Sequence, residues 1–241
     1  IPVDSEHFSI WNSLDSNFEI KDVEKIFITA SGGPFLNYNK ERLKKVKKSV
    51  ALKHPTWQMG EKITIDSATM MNKVFEVIEA KNIFNIPYKK LSILIHPDSY
   101  VHSIVKFNNG LIKIIAHDTT MEIPVSSSLK KNIFFNSILD TKRLNNLNLQ
   151  KINDQKYPTL SILKELPERT SLFETVIVSA NDELVKLFLL NKIKFYNISE
   201  FLIKFIKRSE FKKFKKIQPL KLETIVKLNK YVRLKINSIC I

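Results

Sequence analysis

The sequence predicts an α/β protein: a mixed-sheet α+β domain over residues 1–125, a connector over 126–156, and an all-α helical bundle over 157–241. Three observations carry that reading. Short β-branched runs bounded by turn residues recur through the first half. From residue 157 onward the apolar positions recur instead at roughly the 3.6-residue spacing of a helix. Between them, SSSLKKN and RLNNLNLQKINDQ are polar and aperiodic.

In chain order, PVDSE near the start reads as extended, and KIFITA (25–30) and KLSILIH (90–96) read as buried strands. DSATMMNKVFEVIEAKNIF (66–84) reads as one helix. Asp66, Ser67 or Thr69 would cap it, and Met70, Val74, Val77 and Ile78 would form its apolar stripe. VHSIVKF (101–107) and LIKII (111–115) flank Asn108-Asn109-Gly110, a hairpin signal. Beyond the connector, TLSILKEL, SLFETVIVSANDELVKLFLLNK, ISEFLIKFIKRSEF and LETIVKLNKYVRL read as successive helices.

Composition bounds the function classes. With 44% hydrophobic and 26% charged residues, the chain is not a disordered one. A single cysteine, Cys240, excludes an internal disulfide and a cysteine-based zinc site, and fits a reducing compartment. No apolar run approaches the roughly 18 residues of a membrane span. The formal charge is +15, from 39 Lys and Arg against 24 Asp and Glu. The basic runs KERLKKVKK (40–48) and KFIKRSEFKKFKK (204–216) raise nucleic-acid binding, but no nucleic-acid motif accompanies them. An AT-rich genome explains the Lys, Asn, Ile and Phe excess, so a solvated basic face is the plainer reading. The chain opens on IPVDSEH without an initiator methionine or leader pattern, and reads as a piece of something longer.

Chemistry-bearing residues concentrate in residues 1–125, which hold all 5 His, both Trp and all 4 Gly. On an extended PVDSE, Asp4 and Glu6 would share a face. Oxygen ligands without cysteine favour Mg²⁺ or Mn²⁺, with Glu76 as a third donor; a solvated acidic strand end is the competing reading. Ser31-Gly32-Gly33-Pro34 follows a strand, as an anion-cradling turn or simply a tight one. Asn72 and Lys73 near a helix start suit an anion; a capped surface helix would look similar. In LKHPTWQMGEK (52–62), large apolar groups on a loop suggest a flap over a ligand, or a loop anchored in the core. His96 and His102 flank a turn, where a lone histidine is usually structural.

The order of these segments carries more than any one of them. PVDSEH, SGGPF, HPTWQMGEKITIDSATMMNK with E-x-x-E-A following, and IHPDSYVHSIV resemble the 1-deoxy-D-xylulose 5-phosphate reductoisomerase family. YPTLSILKEL and SANDELVKLFLLNKIKF resemble its C-terminal helical part. The resemblance implies isomerisation and NADPH-dependent reduction of 1-deoxy-D-xylulose 5-phosphate to 2-C-methyl-D-erythritol 4-phosphate, in the non-mevalonate isoprenoid route.

It also implies roles residue by residue. Asp4, Glu6 and Glu76 would hold Mg²⁺ or Mn²⁺ (or Co²⁺). Ser31, Ser67, Asn72 and Lys73 would hold the substrate phosphate, and Ser5 a substrate hydroxyl. His54, Trp57 and Met59 would close on the substrate as part of a 31–61 flap, with Met59 and Gly60 toward the cofactor. Glu6, His54, Trp57, Lys73 and His102 would serve catalysis, and His7 matches another family histidine. NADPH would be bound mostly by an N-terminal domain that precedes the PVDSEH segment in the family. This chain alone is therefore expected to bind a phosphate-bearing analogue without oxidising NADPH.

Further implications are a homodimer, a cytoplasmic or plastid-type location, and neither nucleic acid nor membrane as partner. Two departures stand out: Val74 where the family has glycine, and AHDTTMEIPV (116–125), with Glu122 where arginine is usual. A degenerate relative that binds sugar phosphate and metal without turnover, and a basic nucleic-acid-binding module, are the alternatives.

Overall fold

The structure is a computed structural model that describes residues 1–129 and 139–240. Its elements run α1 (Ser5–Ser13), β1 (Val23–Ala30), α2 (Lys40–Lys44), α3 (Lys48–Ala51), α4 (Glu61–Ala68), α5 (Met71–Phe84), β2 (Leu91–Ile95), β3 (Val101–Phe107), β4 (Ile112–Ala116), α6 (Glu122–Ser128), α7 (Thr141–Asn145), β5 (Gln150–Lys151), α8 (Leu172–Leu189), α9 (Phe195–Ile206), α10 (Ser209–Lys212) and α11 (Leu222–Cys240). The chain separates into two units, one of residues 1–32 and 76–152, the other of residues 33–75 and 153–241.

The first unit holds a five-stranded sheet in the order β4-β3-β1-β2-β5. Only β1 and β2 are parallel; the other neighbours are antiparallel. A parallel pair needs a long crossover, and residues 31–90 supply it. β3 is buried at nearly every position, which suits a strand covered on both faces. β4, at the edge, is largely exposed or half-buried. Helix α1 packs on β3, β4 and β1 and buries Phe8 and Ile10. The β3–β4 hairpin turns at Gly110, whose φ of 87° is one that L side chains rarely adopt.

The second unit is organised by α8. A capping box of Ser171 and Glu174 starts it, and Phe173, Val176, Ile177, Ala180 and Leu184 are fully buried along it. Around it pack α4, α9, α10 and α11. On α9 the buried residues Phe195, Ile198, Leu202, Phe205 and Ile206 follow the helical period, so one face turns to the core.

The strands, the hairpin, α8 and α11 lie where their patterns place them, whereas Pro158–Glu165 winds as a 3₁₀ helix and ISEFLIKFIKRSEF divides into α9 and α10. Four further expectations change. PVDSE is not extended: Asp4 caps α1, its Oδ1 accepting from the backbone N–H of Glu6 (3.1 Å) and His7 (3.2 Å). Residues 66–84 are not one helix. Helix α4 ends at Ala68, Met70 takes the left-handed conformation (φ 62°), and α5 begins at Met71. Ser67 therefore closes one helix rather than capping the next.

The connector is not featureless. It contains the end of α6, then α7, and β5, which pairs with β2 as an edge strand. SSSLKKN lies partly outside the described residues. Lastly, the division is not contiguous at residue 125. Residues 33–75 group with the C-terminal helices, because their apolar side chains, such as Phe35 against Phe195 (ring centroids 4.9 Å apart), are buried there.

Candidate functional site

Three carboxylates converge in the first unit. One oxygen from each of Asp4, Glu6 and Glu76 lies within 4.8 Å of the other two. Asp4 and Glu6 come from the cap and first turn of α1, and Glu76 from α5, where it is buried. An octahedral Mg²⁺ with bonds of about 2.1 Å separates its oxygens by at most roughly 4.2 Å, so small side-chain movements close the set. An all-oxygen acidic donor set suits a hard divalent cation, and the group fits Mg²⁺ or Mn²⁺.

His7 braces this cluster. Its Nε2 lies 2.9 Å from the Glu76 carbonyl oxygen, and its Nδ1 lies 3.1 Å from Asp4 Oδ1. Both partners are acceptors, so both ring nitrogens must carry protons. Burial works against that charge. The hydrogen bond and charge of Asp4, the Glu76 carbonyl and the Glu79 charge outweigh it, and the histidine is held above its ordinary pKa. Ser5, buried beside the cluster, donates its hydroxyl to Glu6 Oε2.

His102, on β3, is buried and donates from Nε2 to the His117 carbonyl oxygen at 3.1 Å. The His117 ring stacks on it, with centroids 3.8 Å apart and planes at 17°. Burial lowers the His117 pKa. The sequence assigns no role to His117, which stands in the segment that departs from the family pattern, or to Glu79, which enters only as the second Glu of E-x-x-E-A and whose carboxylate is 3.8 Å from His7 Nδ1.

The second unit gathers a different set. His54, on the loop between α3 and α4, accepts at Nδ1 from the backbone N–H of Trp57 (2.9 Å) and Thr56 (3.3 Å). Its proton therefore sits on Nε2, which donates to Ser67 Oγ at 3.1 Å. Burial, then the nearby Lys73 ammonium, pushes His54 down to a pKa of about 4. This is a neutral histidine with a fixed tautomer. Lys73 is buried, and with Asn72 it occupies the first turn of α5, where the helix dipole favours an anion.

Gly33 explains part of the glycine-rich turn. It has φ 65°, and a Cβ there would lie 3.0 Å from the Ser67 carbonyl oxygen. Its missing side chain lets the turn approach the end of α4. Ser31 is half-buried just beyond β1 and lies in the first unit. Trp57 and Met59 are half-buried on the loop, and Gly60 caps α4 at an exposed position with open space around it. Ser31-Gly32-Gly33-Pro34 leads into turns and not into a helix, unlike the glycine turn of a dinucleotide site. Val74, in place of the family glycine, is fully buried on α5.

Residues 1–84 match the family model for the 1-deoxy-D-xylulose 5-phosphate reductoisomerase C-terminal domain, and residues 118–235 match that for the DXP reductoisomerase C-terminal domain. The chain is 57% identical, over 248 aligned positions, to the 1-deoxy-D-xylulose 5-phosphate reductoisomerase of Pelagibacter ubique (strain HTCC1062), an alignment covering 100% of this chain and 63% of the relative. It is similar to a crystal structure of DOX-P reductoisomerase in complex with NADPH, fosmidomycin and magnesium, at 28% identity and a TM-score of 0.89, covering 99% of this chain and 62% of that one. A Zymomonas mobilis 1-deoxy-D-xylulose 5-phosphate reductoisomerase in complex with NADPH matches at 31% identity and a TM-score of 0.84, covering 100% and 61%. The chain spans about three fifths of the length of the curated relatives it matches. Its sequence and fold both match across the segments that hold the carboxylates and the Ser67–His54 pair, and the chain belongs to the 1-deoxy-D-xylulose 5-phosphate reductoisomerase family, whose C-terminal domains it carries.

Proposed function

We propose that this chain supplies the cation- and phosphate-binding part of an enzyme that isomerises 1-deoxy-D-xylulose 5-phosphate and reduces the product with NADPH to 2-C-methyl-D-erythritol 4-phosphate. The observation that carries the reading is the convergence of Asp4, Glu6 and Glu76 in segments matched to that family. A divalent cation held there would act as a Lewis acid toward the keto and adjacent hydroxyl oxygens of the substrate.

The chain's own residues would do the rest. Ser67, Asn72 and Lys73, all in the second unit, take the phosphate, which is remote from the carbons that rearrange. Its binding energy orients the substrate without stabilising the ground state of the reacting bonds. His54, neutral and protonated at Nε2, donates to Ser67 Oγ and leaves that hydroxyl oriented to donate in turn. The Trp57 indole shields the reacting centre from water. Ser5 and Glu6, hydrogen-bonded to each other, fix the carboxylate geometry beside the substrate hydroxyls. His102, held by the His117 carbonyl and stacked on the His117 ring, would serve as a polar wall of the site. The hydride comes from NADPH, for which these residues form no cradle, and no step of it is assigned to them.

The partner is a phosphorylated small molecule, and the assembly a homodimer in the cytoplasm. The exposed apolar side chains of Leu111, Ile112 and Ile114 at the β4 edge support self-association. Among the described residues no helix is long and apolar enough to cross a membrane. The test is turnover of the intact protein with 1-deoxy-D-xylulose 5-phosphate and NADPH. Activity should be lost on chelation and restored by Mg²⁺ or Mn²⁺. Metal-independent NADPH oxidation, or none under any of these conditions, would refute the reading.

A further inference from the structure

We propose that Asn181, in the middle of α8, is a positioning residue for Ser67 and thereby sets the phosphate affinity of the protein; this rests on the reading of Ser67 as a phosphate ligand. Asn181 is fully buried on a helix whose neighbouring core positions, Ile177, Ala180 and Leu184, are apolar. Packing alone would be served by a leucine. An amide in such a place loses hydration and must recover it in hydrogen bonds.

Asn181 recovers it at Asp66: its Nδ2 donates to Asp66 Oδ1 at 2.7 Å, while its own Oδ1 is buried without a partner among the described residues. Asp66 is 1% exposed. Its second oxygen accepts from Lys62 Nζ at 2.7 Å, and Lys62 reaches Asp182 Oδ1 at 3.0 Å. Asn181 thus holds this carboxylate in the last turn of α4 directly, and Asp182, the next residue of α8, holds it through Lys62.

The residue after that carboxylate is Ser67. Successive side chains on a helix are set about 100° apart, so anchoring Asp66 fixes the rotation of α4 that aims the Ser67 hydroxyl. The other side of the turn is held separately. Thr159 Oγ1 donates to the Thr69 carbonyl oxygen at 2.5 Å, and Gly33 lies close against the Ser67 carbonyl. Without the Asn181 bond, the backbone of this turn stays tethered while the helix is free to roll.

The experiment uses the intact protein and inorganic phosphate as the probe, with binding followed by phosphorus NMR. The variants are Asn181→Leu, Asp66→Asn, Ser67→Ala, the double variant Ser67→Ala with Asn181→Leu, and the exchanged pair Asp66→Asn with Asn181→Asp. The melting temperature of each is recorded alongside. Asn181→Leu should weaken phosphate binding about tenfold, as expected for losing a hydrogen bond to a charged group. KM for the phosphorylated substrate should rise in parallel, with kcat within about threefold, and the exchanged pair should recover most of the affinity. In the double variant the two losses should not add, because both act through one hydroxyl.

Unchanged phosphate affinity in Asn181→Leu, additive losses in the double variant, or an exchanged pair that regains melting temperature without affinity, each overturns the proposal. If Asn181→Leu does not fold, the exchanged pair alone decides it. Ser67→Ala separates the two levels. If it leaves phosphate binding untouched, the assignment of Ser67 falls as well; if it weakens binding while Asn181→Leu does not, only the positioning role falls.

Discussion

His54 Nε2 lies 3.1 Å from Ser67 Oγ, and the opposite ring nitrogen of His54 accepts two backbone N–H groups. This arrangement leaves one tautomer and one charge state. Burial and Lys73 bring the pKa down to about 4, against an ordinary 6.5. Nitrogen-detected NMR should show His54 neutral and protonated at Nε2, titrating near pH 4; a midpoint near 6.5 would falsify the assignment.

The same shift has a consequence for stability. Between about pH 6.5 and 4 the unfolded chain binds a proton at His54 that the folded chain does not. Stability from this site is therefore complete above pH 6.5 and declines as the pH falls through that window. His54→Gln, which does not titrate there, should flatten this part of the melting-temperature profile. An unchanged slope would assign the acid sensitivity elsewhere.

Glu76→Gln removes a buried charged oxygen from the carboxylate trio and leaves the side-chain volume nearly the same. Mn²⁺ affinity, followed by calorimetry, should fall by at least about 100-fold, the upper end of the effect for outer residues of metal sites. His7→Phe should cost less, roughly 10-fold, because it removes the brace behind Asp4 and not a ligand. Mn²⁺ binding that survives Glu76→Gln would move the cation elsewhere.

Gly33→Ala tests the tight approach at the end of α4. Its φ of 65° and a 3.0 Å contact to the Ser67 carbonyl oxygen both oppose a Cβ, so the variant should lose about 1–3 kcal/mol and bind phosphate more weakly. Gly110→Ala carries the strained φ of 87° into open space and should cost only the backbone part. Equal losses in the two variants would show that the Ser67 contact carries nothing.

Local patterns made much of this legible. β1, β2 and the β3–β4 hairpin follow short apolar runs with turn residues at their ends, and α8 and α9 follow the helical period. The resemblance supplied the carboxylate trio, although on the wrong local structure. Asp-Ser-Glu-His alternates as a strand would, whereas an Asp that caps its own following N–H groups is a helix start, with Phe8 and Trp11 continuing the turn. The α4–α5 break leaves no turn signal in the sequence because a methionine, not a glycine, takes the left-handed conformation there.

The remaining gaps are nonlocal. Asn181 and Asp66 are 115 residues apart, and no periodicity in either segment reports that they meet. β5 has two exposed polar residues, and only its pairing with β2 makes it a strand. Texture changes gradually along the chain, so it placed a boundary at residue 125 and missed that residues 33–75 have their packing partners beyond residue 153.

That interleaving bears on how the protein is made. The segment carrying His54, Trp57, Ser67 and Lys73 leaves the ribosome well before α8 and α9, against which its unit packs. Contacts of such separation form slowly, and apolar groups wait in the open meanwhile. Residues 33–75 are consequently the stretch a nascent chain must shelter longest, and the place where a chaperone or a protease first meets it. A ribosome stalled near residue 160 would hold most strands of the sheet while residues 33–75 have nothing yet to fold upon.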